Sequence, residues 1–429
     1  MYFDSVEAMD RAELEQLQVE RLKKTIENAK KSPFYAKRLA EFNCDDIRTV
    51  NDITTLPFTT KDDLRSQYPH GLLTLPLEEY VRMHASSGTT GTPTAIFYTQ
   101  KDLDTWAELM ARSMYACGCR KSDTLQNMSG YGLFTGGLGI HYGSERLGMI
   151  TIPSGAGNTK RQIKLIRDHN VSVLHIIPSF ALYFAQQVQA AGFNTEDMPW
   201  RIALIGAEPH TEEARAKIEE MMHIKAYNSY GLSEMNGPGV AFECVHQTGM
   251  HLWEDAYIAE IIDPKTGKHV EEGEIGELVM TTIRREGMPI IRYRTRDLTR
   301  FIPGQCPCGR THRRIDRITG RADDMMILKG VNIYPMQIEQ CLMSMPEVGQ
   351  NYLIELVREG VSDQMKVKVE IKDEYFVEDM RVLQGLQKKI AKRLCSEILL
   401  TPRVELCQHD SIPKTAGKAV RVIDNRDTE

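Results

Sequence analysis

Six consecutive residues of this chain carry only a hydroxyl group or no side chain at all: Ser86, Ser87, Gly88, Thr89, Thr90 and Gly91. Glycine lets a backbone approach a phosphate group and turn its N–H groups toward it, and the hydroxyls add further donors. The loop has no lysine, and the run TAIFYT after it is typical of a strand, so it is not a nucleoside-triphosphatase P-loop. It predicts either an anion-binding loop or a polar surface turn.

Two acidic residues stand where a nucleotide or its metal ion is commonly bound. Glu234 lies in YNSYGLSEMNGPG (227–239), just after a predicted strand, and loops at strand carboxyl ends form the ligand crevice of a parallel sheet. A carboxylate there is a candidate Mg²⁺ ligand. Asp297 lies in IRYRTRDLTRF (291–301), and such carboxylates often bind ribose hydroxyls. The ordinary alternatives are an exposed loop glutamate and an aspartate paired with a neighbouring arginine.

Two glycine-containing segments follow toward the C-terminus. GRADDMMILKGVNIYP (320–335) is a dense charged cluster flanked by glycines, which indicates either a hinge or an ordinary linker turn. IPKTAGKAVRV (412–422) is a basic loop with Lys414 and Lys418, which indicates either a functional loop or a solvated tail.

Together, the five segments resemble the core motifs of the adenylate-forming superfamily of acyl-CoA synthetases, adenylation domains and luciferases, in the same order over residues 86–418. The family's SSGTTGKP loop is matched at 86–93, with Thr92 in place of its lysine. Its YGxTE, YRTxD, hinge and PxxxxGK motifs are matched by YGLSE, YRTRD, GRADDM and PKTAGK. Within the superfamily, YGLFTGGLGIHYGSERLG and CPCGRTHRRI are most similar to phenylacetate–CoA ligases.

The resemblance implies a reaction in two halves. A carboxylate attacks the α-phosphate of Mg·ATP to give an acyl adenylate and pyrophosphate, and the thiol of coenzyme A then attacks the acyl carbonyl to give a thioester and AMP. The first half brings one anion onto another, so it needs cations aimed at the developing charge. The resemblance assigns Glu234 as the Mg²⁺ ligand and Lys418 as the cation that bridges carboxylate and α-phosphate, with Lys414 as an alternative.

The other nucleotide and coenzyme A residues are also implied by the resemblance. Asp297 and Arg321 are expected to hold the ribose, and the small domain to rotate about Asp323 between the two half-reactions. The coenzyme A channel is assigned to Lys329, Gly330 and Val331. ATP binding is further assigned to the phosphate loop 86–91 and to Gly206, Ala207, Glu208, Pro209, Tyr227, Tyr230, Gly231 and Ser233.

An acid pocket is predicted in GYGLFTGGLGIHYG, from Tyr131, Phe134, Gly136 and His141. Aromatic side chains interleaved with glycines leave a flat slot suited to an aryl ring, although Tyr131 and Phe134 are equally expected as core residues. The sequence does not select the acid, so benzoate-, aminobenzoate- and indoleacetate-like substrates stay open. Transfer to a carrier protein also stays open, as does a non-catalytic nucleotide-binding homologue, which only Thr92 suggests.

A metal site is predicted among the nine cysteines. Cys306 and Cys308 form a C-x-C knuckle in a polar turn, and with Cys244 and His251 they provide the ligands of a tetrahedral structural Zn²⁺. His246 and His312 are rival ligands, and reduced thiols in a turn are the alternative.

The bulk composition excludes several classes of protein. The chain has 429 residues, 41% hydrophobic and 26% charged, with a net charge of -6, which favours a globular protein and no nucleic-acid partner. No apolar stretch approaches the roughly 18 residues that a membrane span needs. The N-terminal segment lacks the features of a signal peptide, so a cytoplasmic protein is expected. The resemblance adds an expectation of a homodimer.

The pattern of elements predicts an α/β fold. Short apolar runs alternate with helices of about a dozen residues from 159 to 231, which indicates a mostly parallel sheet, and strands separated by Gly, Pro and Asp turns after Gly249 indicate an antiparallel subdomain. A strand–helix–strand–strand–helix–strand order beyond Arg321 indicates a small α+β domain. The predicted domains are 1–322, a large N-terminal adenylate-forming domain, and 323–429, a mobile C-terminal lid.

The role assigned to Lys418 predicts a selective defect. Replacing Lys418 with alanine should reduce adenylation far more than thioester formation from supplied acyl adenylate, because the lysine is required only while the α-phosphate reacts. Rates of pyrophosphate exchange and of thioester formation measure the two halves separately. Equal loss in both would contradict domain rotation.

Overall fold

The computed structural model describes residues 2–85, 93–328, 331–359, 362–377, 379–409, 411–412 and 420–426. The chain divides into two compact units. Unit 1 comprises Met1–Ile176, Ala191–Ala207 and Ile224–Ile318. Unit 2 comprises Ile177–Ala190, Glu208–His223 and Thr319–Glu429. None of the described helices is both long enough and apolar enough to span a membrane.

The helices of the described residues are, in chain order, α1 (Arg11–Ala29), α2 (Pro33–Arg38), α3 (Lys61–Ser66), α4 (Gln100–Ala116), α5 (Thr135–Leu147), α6 (Thr159–Asp168), α7 (Pro178–Ala190), α8 (Glu212–Met222), α9 (Pro335–Met343) and α10 (Met380–Ile398). The strands are β1 (Arg82–Ala85), β2 (Ala95–Tyr98), β3 (Thr124–Asn127), β4 (Ile150–Ile152), β5 (Val173–Ile176), β6 (Ile202–Ile205), β7 (Lys225–Leu232), β8 (Gly237–Glu243), β9 (Met250–Leu252), β10 (Tyr257–Ile262), β11 (Gly276–Thr282), β12 (Tyr293–Thr299), β13 (Phe301–Ile302), β14 (Arg314–Ile315), β15 (Gly320–Arg321), β16 (Met326–Leu328), β17 (Val331–Ile333), β18 (Val348–Glu359), β19 (Ser362–Ile371), β20 (Arg403–Cys407) and β21 (Val422–Asp424).

A nine-stranded sheet organises unit 1, in the order β13-β14-β9-β8-β7-β6-β5-β3-β4. Strands β4, β3, β5, β6 and β7 are parallel, and β5 and β6 are buried along their whole length. This confirms the predicted parallel sheet. The carboxyl ends of the parallel strands meet at one edge, where an open α/β sheet forms its ligand crevice.

Antiparallel pairing begins within the same sheet rather than in a separate layer. Strand β7 pairs antiparallel with β8, β8 with β9, β9 with β14 and β14 with β13. The predicted antiparallel subdomain is also present, as the meander β10-β11-β12 of unit 1. The predicted strand RRIDRITGR is wrong as a single element, because only 314–315 and 320–321 pair as strands.

Helix α5 is an element that the sequence does not predict, because glycines interrupt its helical pattern. The structure explains two of them by close packing against α4. A Cβ atom added to Gly139 would lie 2.3 Å from Cζ2 of Trp106, and one added to Gly143 would lie 2.3 Å from Cβ of Met110. The glycines therefore allow two helix backbones to approach more closely than side chains permit.

Unit 2 contains the predicted α+β tail. Strands pair in the order β20-β19-β18-β21, with β18 and β19 antiparallel and both edge strands parallel to their neighbours. Apolar residues of α9 and α10 pack with this sheet in one buried cluster, and β16 and β17 form a hairpin. The unit also includes α7 and α8 from earlier in the chain, and the predicted boundary at residues 322 and 323 stays a prediction.

The close packing of α5 predicts a large difference between two alanine variants. Gly139→Ala should lower the free energy of unfolding by about 1–3 kcal/mol, because the added methyl group meets the buried Trp106 ring. Gly136→Ala in the same helix is the control, since its added Cβ has no described heavy atom within 4 Å. Urea denaturation measures both, and equal midpoints would show that α4 and α5 separate easily.

Candidate active site

The carboxylate of Glu234 lies just beyond β7, in one turn of 3-10 helix (Ser233–Met235). The residue is only 5% exposed, and its Oε1 accepts a hydrogen bond of 3.2 Å from the hydroxyl of Tyr293. Arg285 donates from Nη1 to the Glu234 carbonyl oxygen at 2.9 Å, which holds the backbone of the turn. Among the described residues the carboxylate forms no ion pair. Within the described part of the chain, the buried carboxylate therefore has the Tyr293 hydroxyl as its donor and no cation beside its oxygens.

Asp297 lies on β12, and its Oδ2 accepts a hydrogen bond of 2.6 Å from the hydroxyl of Tyr230 on β7. The register of β12 against β11 shifts between the pairs Val279–Arg294 and Glu277–Leu298, which leaves extra residues on β12. Within this bulge Arg296 has a φ of 68°, a left-handed conformation that is unusual for a side chain of its size. Bulges re-aim side chains, and this one turns Asp297 toward β7.

A second bulge lies beside Tyr230. Strand β8 shifts register opposite β7 between Tyr230–Ala241 and Gly231–Pro238. A Cβ atom on Gly231 would lie 2.1 Å from the carbonyl oxygen of Gly237, so the YGLSE glycine is required by the close approach of the β8 backbone. Ser233 is held from the other side, since its carbonyl oxygen accepts from the Tyr98 hydroxyl at 3.4 Å.

The residues predicted to flank adenine belong partly to unit 1 and partly to unit 2. Gly206 directly follows β6 and packs against Ser229, whose Oγ would lie 2.4 Å from an added Cβ, and Ala207 has a φ of 70°. Tyr227 on β7 is 6% exposed and belongs to the core of unit 1. In unit 2, Oε1 of Glu208 accepts from the backbone N–H of Ser179 at 2.6 Å, and Pro209 is exposed.

The predicted acid-pocket residues lie in the segment that joins β3 to α5 and in α5 itself. The Tyr131 hydroxyl accepts from Nδ2 of Asn127 at 2.9 Å and lies 3.2 Å from Nδ1 of His141, while burial raises the pKa of Tyr131 to about 12. His141 pairs in turn with Glu145 at 3.0 Å. Phe134 is 56% exposed, so it is not the core residue that the alternative prediction describes. Gly136 faces open space.

Several predicted site residues lie outside the described residues. These are the phosphate loop 86–91 with Thr92, Lys329 and Gly330 of the coenzyme A channel, and Lys414 and Lys418. In unit 2, Val331 begins β17. Arg321 and Asp323 form a bidentate ion pair with two contacts of 2.9 Å, so the predicted ribose ligand and the predicted hinge residue are partners of each other.

The four predicted metal ligands come together in unit 1. The sulfur atoms of Cys244 and Cys306 are 3.6 Å apart, Sγ of Cys308 is 3.4 Å from Nε2 of His251, and the four ligand atoms lie within 4.8 Å of one another. A hydrogen bond from Cys244 lowers the pKa of Cys308. The rival His312 uses both ring nitrogens elsewhere, since Nδ1 accepts from the backbone N–H of Glu254 at 3.1 Å and Nε2 donates to the Val6 carbonyl oxygen at 3.0 Å.

The N-terminal segment braces this cysteine knuckle. Nε of Arg310 pairs with the fully buried carboxylate of Glu7 at 2.7 Å, and the Thr311 hydroxyl donates to the Met9 carbonyl oxygen at 2.6 Å. The Tyr2 hydroxyl donates to the Cys308 carbonyl oxygen at 3.3 Å. The turn that carries Cys306 and Cys308 is therefore held in place by distant parts of the chain.

Sequence reasoning missed two residues that contact Glu234. Tyr293 is the first residue of the YRTRD motif, so the motif itself was the signal that pointed to it. Arg285 lies in TTIRREGM next to Arg284, and nothing in the sequence pattern distinguishes the two arginines. The structure distinguishes them, since Arg284 pairs with Glu108 and Asp255 and only Arg285 reaches the Glu234 turn.

Comparison with known families assigns the class of protein. Residues 24–284 match the model of the AMP-binding enzyme family, and residues 330–426 match the AMP-binding enzyme C-terminal domain. The chain belongs to the AMP-binding enzyme family.

Curated relatives extend this match over nearly the whole chain. The chain is 43% identical over 427 residues to the phenylacetate–coenzyme A ligase of Pseudomonas putida, covering 99% of this chain and 97% of that protein. It is also 43% identical over 443 residues to the Thermus thermophilus phenylacetate–coenzyme A ligase, covering 99% and 100%. Among solved structures, 2-hydroxyisobutyryl-CoA ligase in the postadenylation state matches with a TM-score of 0.92 and 28% identity, covering 98% of this chain and 92% of that chain.

Proposed function

We propose that this protein is an ATP-dependent ligase that joins a phenylacetate-like aryl acid to coenzyme A through an acyl adenylate, releasing AMP and pyrophosphate. The observation that carries this assignment is a reciprocal pair of hydrogen bonds in unit 1. Tyr230 of the YGLSE motif donates to Asp297 of YRTRD, and Tyr293 of YRTRD donates to Glu234 of YGLSE. Two carboxylates with different tasks are thereby fixed close to one sheet edge.

The nucleotide is assigned to this edge by the chemistry of each group. Asp297 and Arg321 bind the ribose hydroxyls, as carboxylates at such crevices do. The phosphate loop 86–91 wraps the pyrophosphate end with backbone N–H groups and hydroxyls. Its stem is the paired hairpin β1-β2, in which Ala85 lies opposite Ala95. Gly206, Ala207, Glu208, Pro209 and Tyr227 flank the adenine.

The buried carboxylate of Glu234 fits a magnesium ligand. A carboxylate that is only 5% exposed and forms no ion pair among the described residues is unfavourable in its charged form unless a cation or further hydrogen bonds compensate it. Bound Mg²⁺ would supply positive charge to the phosphate oxygens. Lys418 brings a second positive charge to the reacting carboxylate and α-phosphate, and it moves away when the C-terminal domain 323–429 rotates about Asp323 for the thioester half-reaction.

An aryl acid is assigned to the segment that joins β3 to α5. Tyr131 presents a ring whose hydroxyl is already hydrogen-bonded to Asn127, and Phe134 adds an exposed aromatic surface. Gly136 leaves room beside them. Flat apolar surface with few unsatisfied polar groups suits a phenyl ring better than a branched aliphatic acid. Other aryl acids and a carrier-protein acceptor are the competing assignments, and a cytoplasmic homodimer stays a prediction from sequence.

One assay tests the assignment. Pyrophosphate exchange should proceed with phenylacetate and be slower with benzoate, 2-aminobenzoate and indole-3-acetate, and coenzyme A should then accept the acyl group.

Asp297→Asn should raise the KM for ATP about tenfold or more without changing the order of acids, because it removes a charged hydrogen bond to the ribose. Asp316→Asn is the matched control, since that carboxylate pairs with exposed Arg300.

Absence of exchange with every acid would refute the enzyme assignment. Exchange without thioester formation would replace coenzyme A with a carrier protein as the acceptor. Faster exchange with another aryl acid would replace phenylacetate as the preferred substrate and leave the reaction class in place.

We further propose that Cys244, His251, Cys306 and Cys308 hold a structural Zn²⁺. Tetrahedral zinc with Zn–S bonds of about 2.3 Å and Zn–N bonds of about 2.0 Å has S···S edges of about 3.8 Å and S···N edges of about 3.5 Å. Two pairs of ligand atoms in the knuckle, S···S at 3.6 Å and S···N at 3.4 Å, match these edges. Such an ion would bind the deprotonated thiols and stabilise the fold.

Metal removal tests the zinc site. Purified protein should contain one zinc per chain, and a strong chelator should lower the melting temperature. Cys308→Ser should lose the zinc and much of this stability, while Cys407→Ser, outside the cluster, should keep both. Zinc well below one equivalent, with unchanged melting after chelation, would show that the thiols are simply reduced.

A further inference from the structure

His84 is a buried residue near the end of β1 that no catalytic step uses. It is 1% exposed, and its Nδ1 lies 3.0 Å from the carbonyl oxygen of Leu133. A carbonyl oxygen only accepts, so Nδ1 carries the proton and donates. The backbone N–H of Ala85 donates to the same oxygen at 3.0 Å. Two consecutive residues of β1 therefore occupy both lone pairs of one carbonyl group.

Among the described residues, the segment that receives these bonds is also held by the Tyr131 hydroxyl, which contacts Asn127 and His141, but its far end is exposed. Leu133 and Phe134 are 58% and 56% exposed, and added Cβ atoms on Gly130 and Gly132 have no described heavy atom within 4 Å. Segments with few packing contacts open at low free energy, so each hydrogen bond to a rigid element raises the free energy of local opening appreciably. This segment is the one assigned to the aryl acid.

On its other side, His84 contacts a rigid aromatic cluster. Its ring meets Tyr98 and Trp106 edge-on, at centroid distances of 5.5 and 6.0 Å, and those two rings stack at 5.6 Å. The Tyr98 hydroxyl donates to the Ser233 carbonyl oxygen, and Trp106 Nε1 donates to the Pro238 carbonyl oxygen at 2.8 Å. The cluster is thus fixed to both sides of the turn that carries Glu234.

Packing alone does not account for histidine at this position. Burial lowers the pKa of His84, so the neutral ring has one N–H, and Nε2 has no hydrogen-bond partner among the described residues. A buried acceptor without a partner is destabilising, and a phenylalanine ring would fill the same space without it. What phenylalanine lacks is the Nδ1–H bond to Leu133.

We propose that His84 is a positioning residue for adenylation, which ties the acid-binding segment 130–134 to the strand that leads into the phosphate loop. The inference rests on the proposed function for the role of that segment. Attack of a carboxylate on phosphorus requires the two groups in near-attack geometry, and a displacement of about 1 Å lowers the rate on the order of 100-fold. His84 touches neither substrate and acts through the Leu133 carbonyl group.

Two substitutions separate anchoring from packing. His84→Phe keeps the ring and loses the donor, whereas His84→Asn loses the ring and keeps an N–H that reaches toward Leu133. His84→Phe should lower kcat/KM for the acid about 10- to 100-fold in pyrophosphate exchange, with the KM for ATP within about twofold. His84→Asn should recover part of kcat/KM although it unfolds at lower urea concentration. Met83→Ala, an exposed neighbour on β1, should change neither.

Amide hydrogen exchange tests the anchor independently of any reaction. Residues 130–134 should exchange about tenfold faster or more in His84→Phe than in wild type, with a smaller increase in His84→Asn. Unchanged exchange in His84→Phe would overturn the anchor. Faster exchange with unchanged acid kinetics would overturn its role in positioning. A wild type without adenylation activity would refute the proposed function, while hydrogen exchange would still decide whether His84 anchors the segment.

Discussion

The reciprocal hydrogen bonds between two tyrosines and two carboxylates are the constraint on which the candidate site depends. Each motif supplies a tyrosine to the carboxylate of the other, so the two hydrogen bonds form together only when β7 and β12 are both in place. A buried carboxylate that loses its donor is strongly destabilising. The nine-stranded sheet and the β10-β11-β12 meander are therefore locked together at the point where the nucleotide is proposed to bind.

Irregular backbone at both motifs makes these reciprocal hydrogen bonds possible. Regular strands would point side chains alternately to the two faces of a sheet, without regard to a partner on another sheet. The bulges next to Tyr230 and in β12 alter that alternation, and Arg296 accepts an unfavourable φ within the second bulge. Irregular backbone at both motifs is what brings the two sheets into hydrogen-bonding distance, and such strain is typical of functional sites.

The sequence predicted the fold correctly where a single repeating pattern of apolar residues extends over many positions. The alternation of buried strands with helices predicted the parallel sheet, while the roles that the motifs assign to Glu234 and Asp297 stay predictions. It failed at α5, because the glycines that disfavour a helix there are required by Trp106 and Met110 on a helix some 30 residues earlier. It likewise left His251 and His312 as rivals. Their roles differ only through distant partners, since the backbone N–H of Glu254 and the carbonyl oxygen of Val6 occupy the ring nitrogens of His312.

Strand β8 links the candidate active site to the cysteine knuckle. It begins three residues after Glu234 and ends directly before Cys244, and its Phe242 pairs with His251 on β9. A residue in a strand whose two ends are both fixed has fewer accessible positions than one in a strand free at one end. A metal ion bound by Cys244 and His251 would fix the far end of β8, while Trp106 and Arg285 fix the end near Glu234. The knuckle would therefore contribute to the rigidity of the Glu234 turn although it takes no part in the chemistry.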